Sequence, residues 1–269
     1  MQLVELRGAR AALAMAACGL PVFFGFVLPV AILVNLHVAG GDDLFGGRFV
    51  GLAANSLALA VGAGVVVTAV AALVAYALRV ARHPRERGLL RLSTLGYALP
   101  GTVVAVGILG PLGALDQVIN GVAQSLMGAP VGLIVSGSVA ALVFAYLVRF
   151  LAVATNTLEA GLEKIPVNLD HVARTLGCSP ARVLTEVHVP LLWRSSLTAL
   201  VLVFADVLKE LPATLIVRPF NMETLAVRVY QLASDERLAQ ASTGALTIVA
   251  LSLLPLIVLT RSMDQRSAS

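Results

Sequence analysis

The chain has 269 residues, of which 58% are hydrophobic and only 13% charged, with a mean hydropathy of +0.92. Soluble domains carry roughly 25% charged residues, so an ordinary water-soluble fold is excluded and an integral membrane protein is expected. The formal charge of +4 invites a nucleic-acid partner, but the placement of the charges gives them a different role.

Arg7 and Arg10 precede an uncharged run over 11–41. A signal-peptide core is only about 7–15 residues long, so this run predicts a retained first membrane helix. A spanning helix needs about 20 mostly apolar residues. Stretches over 13–36, 50–78, 92–115, 131–148 and 241–260 meet that need, and a sixth, 195–217, does so apart from Asp206, Lys209 and Glu210. No run alternates with period two for long enough to suggest a membrane β-barrel. The expected fold is an all-α integral membrane protein of about six transmembrane helices. Its expected divisions are 1–48 (first helix and outer loop), 49–261 (the main transmembrane domain) and 262–269 (a tail).

Lys and Arg collect on the cytoplasmic side of membrane proteins. With both termini inside and six crossings, fourteen of the nineteen fall there, including Arg79, Arg82, Arg85, Arg87, Arg91, Arg149, Arg174, Arg182 and Arg266. The basic balance therefore follows topology, and no nucleic acid is expected as a partner. Cys18 and Cys178 form neither a metal spacing nor a disulfide framework.

The same topology puts a polar stretch, "LDHVARTLGCSPARVLTEVHVPLL", in the cytoplasm between spans four and five, within a loop of about 158–192. Asn168 is a suitable N-cap, and Asp170 in the first turn favours the helix dipole. Val172, Ala173 and Leu176 give this helix an apolar side. Gly177 is placed to end it in the left-handed conformation. Ser179 then caps a second helix with Pro180 at its first position, and Pro190 is expected to stop it. Spacing alone leaves two alternatives: a hairpin lying on the bilayer, or one that leaves the membrane to meet another protein.

In span five, Asp206, Lys209 and Glu210 stand at i, i+3 and i+4, which puts them on one helical face. Lys209 is expected to pair with Asp206 and leave Glu210 partly uncompensated, and Pro212 to break the helix. Intramembrane charges either lock helices together or line a pathway, and both roles stay open. No metal site is complete. An outer helix is expected over 223–239, with Val227, Tyr230 and Leu238 on one side.

The polar stretch resembles the coupling loop of ABC-importer permeases, whose pattern is Glu-Ala-Ala, three residues, Gly, about nine residues, and a closing apolar-x-Leu-Pro. The matching positions are His171, Val172, Ala173, Gly177, Val187 and Val189-Pro190. The stretch "KELPATLIVRPFNMETLAVRVYQLASDERL" is similar to the ferric-iron branch of that family, as are "STLGYALPG" (93–101), "GPLGALD" (110–116), "YLVRFLAVA" (146–154) and the Asn55-Ser56 pair. The likeness covers about 92–259 and corresponds to the second half of the double-length permeases.

The resemblance implies a permease subunit in a bacterial inner membrane, with both termini cytoplasmic. It implies ABC ATPase subunits docked on the hairpin, a second permease half (a copy or a homologous chain), and a solute-binding protein that delivers ferric iron. It implies no cofactor in this chain, since ATP belongs to the partner ATPase. No G-x-x-x-x-G-K-[ST] occurs in the sequence, so no enzymatic activity is expected. Thiamine or a phosphonate is the alternative cargo. An ion-coupled carrier using Asp206 and Glu210 is the alternative class, but it has no need of a punctuated docking hairpin. Two positions depart from the pattern. His171 replaces a Glu that would complete a capping box, and Val172 replaces a small Ala, so a looser docking is expected.

Overall fold

The computed structural model describes residues 8–44, 46–81, 83–166 and 168–264. Arg7, Arg82 and Arg266 lie outside the described residues. Among those described, the regular elements are all helical. Six helical segments are long and apolar enough to cross a membrane: Ala9–Gly40, Gly47–Val80, Gly101–Met127, Val139–Leu162, Pro180–Leu208 and Leu238–Arg261. The expected all-α integral membrane architecture is observed.

The first span is built from α1 (Ala9–Val22), a π-helical turn (Phe23–Val27) and α2 (Leu28–Gly40). The second is α3 (Gly47–Val80), followed by the short basic α4 (Pro84–Leu92). The third, α5 (Gly101–Met127), begins nine residues later than 92. Leu95–Ala98 form a 3-10 turn instead, because Pro100 holds its predecessor extended and delays the helix. The fourth, α6 (Val139–Leu162), is shifted in the same sense: it starts at the Ser138 cap, which accepts from Ala141 N, rather than at 131. Residues 131–136 are instead folded back onto α5. Buried Asp116 accepts the backbone N–H groups of Ile134, Val135 and Ser136, and Asn120 accepts those of Val131 and Gly132. Arg149 consequently stands well inside α6 and not in a cytoplasmic loop.

The core is the packing of α3 against α6 and against α9 (Val189–Leu208). Along α3 the buried face is Ala60, Ala63, Gly64, Val67, Ala71 and Ala75. Ala141, Ala145, Ala154 and Ala199 meet it. Small residues suit this role because lipid offers no hydrophobic force between helices, so close van der Waals packing must hold them together.

Pro190 does not stop the second helix of the hairpin. Helix α8 (Pro180–Val183) passes through a π turn (Leu184–His188) directly into α9. The first span repeats the device, with a π turn ending two residues before Pro29. In both, the residue before the proline donates its N–H five positions back, Leu28 to Phe23 and Val189 to Leu184. Proline's ring crowds the carbonyl four residues earlier, and a locally wider turn relieves that without ending the helix.

Span five ends at Leu208, before 217. The chain then forms α10 (Pro212–Val217), and Pro212 opens this helix, so the expected break is present. The outer helix is α11 (Leu225–Ser234), shorter than 223–239, with Thr224 as its cap. Val227 is buried, whereas Tyr230 and Leu238 are exposed, so the three do not share a buried side. Helix α12 (Leu238–Asp264) closes the fold and packs on α2, where His37 Nδ1 lies 2.9 Å from Thr243 Oγ1.

Candidate functional site

The hairpin has the expected punctuation. Helix α7 spans Asn168–Thr175, and the side chain of His171 within it is exposed. Gly177 takes φ +84°, Gly177 N donates to Arg174 O, and Cys178 N donates to Ala173 O. This is the Schellman ending that an L side chain would strain. Ser179 Oγ accepts from Arg182 N, with Pro180 at the first position of α8.

The apolar side of α7 does not pack inward. Ala173 is buried, but Leu169, Val172 and Leu176 are 41%, 55% and 79% exposed. At i, i+3 and i+7 these three form one stripe, and it projects away from the rest of the chain.

What holds the hairpin is a polar clasp that the sequence does not display. Arg79, in the last turn of α3, places its Nε 2.8 Å from Asp170 Oδ2. Its other nitrogens donate to the carbonyls of Leu162 (2.6 Å) and Ile165 (3.0 Å), where α6 ends. Asp170 Oδ1 accepts from His188 Nε2 at 2.6 Å. One helical turn before Arg79, the Tyr76 hydroxyl donates to Pro180 O at 3.0 Å, and its ring lies 5.3 Å from that of His188. His188 is fully buried and its Nδ1 has no partner. A carboxylate can only accept, so Nε2 carries the proton. Burial pushes the Asp170 carboxyl up. The bonds from Arg79 and His188, with their charges, outweigh this and hold it below the usual carboxylate value.

The second cluster lies at the end of α9. Lys209 Nζ is 2.9 Å from Asp206 Oδ1, as expected, and is two-thirds exposed. Glu210 does not share that face, because α9 has ended and the chain turns it inward. It is 6% exposed and pairs with Arg149 of α6, Nε to Oε2 3.0 Å. The Arg149 N–H does not point at the carboxylate, so the contact is ionic rather than an aligned hydrogen bond. Glu210 also accepts from Ala213 N in the first turn of α10. Thr214 donates to Glu210 O and lies 2.6 Å from the Tyr146 hydroxyl. Gly101 leaves the room for this pair, since a Cβ there would fall 2.7 Å from both Arg149 Nη1 and Glu210 Oε1. The expected uncompensated Glu210 is thus corrected: its partner comes from another span. No group of three or more His, Cys, Asp or Glu side chains able to hold a metal occurs among the described residues.

A family model described as "Binding-protein-dependent transport system inner membrane component" matches residues 64–268. The chain belongs to this family. It is an ABC-importer permease of the type-1 inner-membrane class, and with six apolar helices it is a multi-pass inner-membrane protein. Over 118 residues the permease is 31% identical to the Fe(3+)-transport system permease protein FbpB 2 of Haemophilus influenzae. That match covers 44% of this chain and 23% of FbpB 2, less than a quarter of its length. Over 240 residues it is 27% identical to the putative 2-aminoethylphosphonate transport system permease protein PhnV of Salmonella typhimurium, covering 87% of this chain and 81% of PhnV. In fold the permease is similar to a chain of the bacterial alginate ABC transporter in complex with an alginate pentasaccharide-bound periplasmic protein. The TM-score is 0.68 at 14% identity, over 95% of this chain and 94% of that one.

Proposed function

We propose that the permease forms half of the translocation pathway of an ATP-driven importer of ferric iron. A separate ATPase subunit docks on the cytoplasmic hairpin. The observation that carries this reading is the outward stripe Leu169, Val172 and Leu176, on a hairpin anchored from behind by the part-buried Arg79–Asp170 ion pair and the Asp170–His188 hydrogen bond. A hairpin made only to rest on lipid needs no such anchor, whereas one that receives a push does.

A second permease half completes the pathway, a solute-binding protein delivers the cargo on the outer side, and both termini lie in the cytoplasm. ATP is bound by the ATPase subunit and not by this chain. Ferric iron is supported by the 209–238 motif stretch and by the likeness to FbpB 2. The longer likeness to PhnV favours a phosphonate as the second reading. Asp206 and Lys209, both still reachable at the end of α9, are the pathway candidates, while Glu210 serves Arg149.

The test is uptake into proteoliposomes holding the permease, its ATPase subunit and the binding protein, with radioactive ferric iron and 2-aminoethylphosphonate offered in parallel. ATP-dependent accumulation of iron alone is expected. Accumulation of the phosphonate alone removes iron and leaves the permease class standing.

A further inference from the structure

We infer that the Arg79–Asp170–His188 clasp makes the hairpin and the cytoplasmic ends of α3, α6 and α9 move as one body, with Asp170 as the positioning residue at its centre. The inference rests on the proposed docking of an ATPase subunit.

The hairpin bends most readily where it meets the membrane helices. It is joined to the membrane helices at two places. On one side, the end of α6 gives way to a non-helical turn at Ile165 and Pro166. On the other, α8 runs into α9 through the π turn Leu184–His188, whose i→i+5 bonding interrupts the regular α-helical ladder. A force applied at Leu169, Val172 and Leu176 would flex both joints before it moved a spanning helix.

The clasp closes both joints. Arg79 donates to Ile165 O, within the first joint, and to Leu162 O just before it. His188 is the last residue of the second joint. Asp170 spends one carboxylate oxygen on each, so a single side chain of α7 ties the two joints together. Tyr76 adds a strut from α3 to the start of α8. The side chains of Arg79, Asp170 and His188 are only 12%, 14% and 0% exposed, so water competes little for these bonds. The spacing also fits: Tyr76 and Arg79 are i and i+3 on α3, hence on one face.

The experiment uses the permease assembled with its ATPase subunit in nanodiscs, with spin labels at Thr175→Cys in the hairpin and Leu73→Cys on α3, in a Cys18→Ser, Cys178→Ser background. ATP is expected to leave the label distance unchanged in that background. With Asp170→Asn, ATP is expected to shift and broaden the distance while the ATPase still binds. Solute carried per ATP hydrolysed is expected to drop by about fivefold or more, the low end of a typical coupling between sites. Should Asp170→Asn fail to fold, so that no monodisperse permease is recovered, Tyr76→Phe takes its place; it removes only the strut, and a shift in the same direction is expected. The inference is overturned if ATP moves the labels equally with and without the substitution, or if the variant that folds behaves as the background does. Loss of ATPase binding in Asp170→Asn alone also overturns it, since Asp170 would then be a docking residue. If the unsubstituted permease binds no ATPase, the proposed function fails together with it, and that is seen before any label is read.

Discussion

Asp170 and Glu210 are both carboxylates set against arginines from other helices, and they answer differently to substitution. Glu210 is buried against Arg149, so Glu210→Gln leaves a guanidinium uncompensated inside the helical body. Removing one member of a buried pair costs about 3–5 kcal/mol. The expected outcome is a sharp fall in folded permease, measured as monodisperse protein recovered in mild detergent. The Asp206–Lys209 pair is largely exposed on its Lys side, and such pairs contribute about 0–1 kcal/mol. Asp206→Asn should therefore leave that recovery unchanged while lowering ATP-driven uptake. Equal loss of recovered protein in both variants would contradict the separation of roles. Asp170 adds a pH dependence. Its native pKa is depressed, so its contribution to stability is complete above the unfolded carboxyl value of about 3.9 and is lost as pH falls through the lower native value. The protection of the α7 amides, taken relative to their intrinsic exchange at each pH, is expected to be flat near neutrality and to fall below about pH 4. The Arg149–Glu210, Arg79–Asp170 and Asp170–His188 pairings were not legible in the sequence. Arg79 and Asp170 lie 91 residues apart and Asp170 and His188 lie 18 apart. Periodicity reports which face of a helix a residue occupies, not which distant helix it meets. The Asp206–Lys209 pair was legible because it is closed within one turn.

At the scale of elements, punctuation was the reliable signal. Gly177 and Ser179-Pro180 act locally through backbone conformation, and all three do what their chemistry requires. Pro190 was misleading, because a π turn lets a helix carry a proline that would otherwise end it, as it also does before Pro29. The orientation of α7 was also hidden. An apolar side reads identically whether its cover is this chain or another one. Gly177 offers a direct test: its positive φ disfavours any L side chain, and nothing lies within 4 Å of the position a Cβ would take. Gly177→Trp therefore meets no internal clash, yet it strains the turn and adds bulk beside the exposed stripe. The expected result is normal membrane insertion with ATPase co-purification reduced about tenfold, roughly 1.4 kcal/mol. Unchanged co-purification would mean that the hairpin is not the docking element.

At the scale of the whole molecule, the apolar composition led directly to six membrane crossings, and the small-residue ridge of α3 explains how α6 and α9 close upon it. The family follows from a match over residues 64–268. The cargo does not follow from the fold, since a transporter chain of similar fold at 14% identity comes from an alginate system. The central claim is that this permease moves its cargo only when another protein hydrolyses ATP against the hairpin. The most direct measurement is uptake of radioactive ferric iron by proteoliposomes containing the permease and the binding protein, with and without the ATPase subunit. Uptake that requires both the ATPase and ATP, and that collapses with Gly177→Trp, is the expected result. Uptake that continues without the ATPase, driven by an ion gradient, would contradict it.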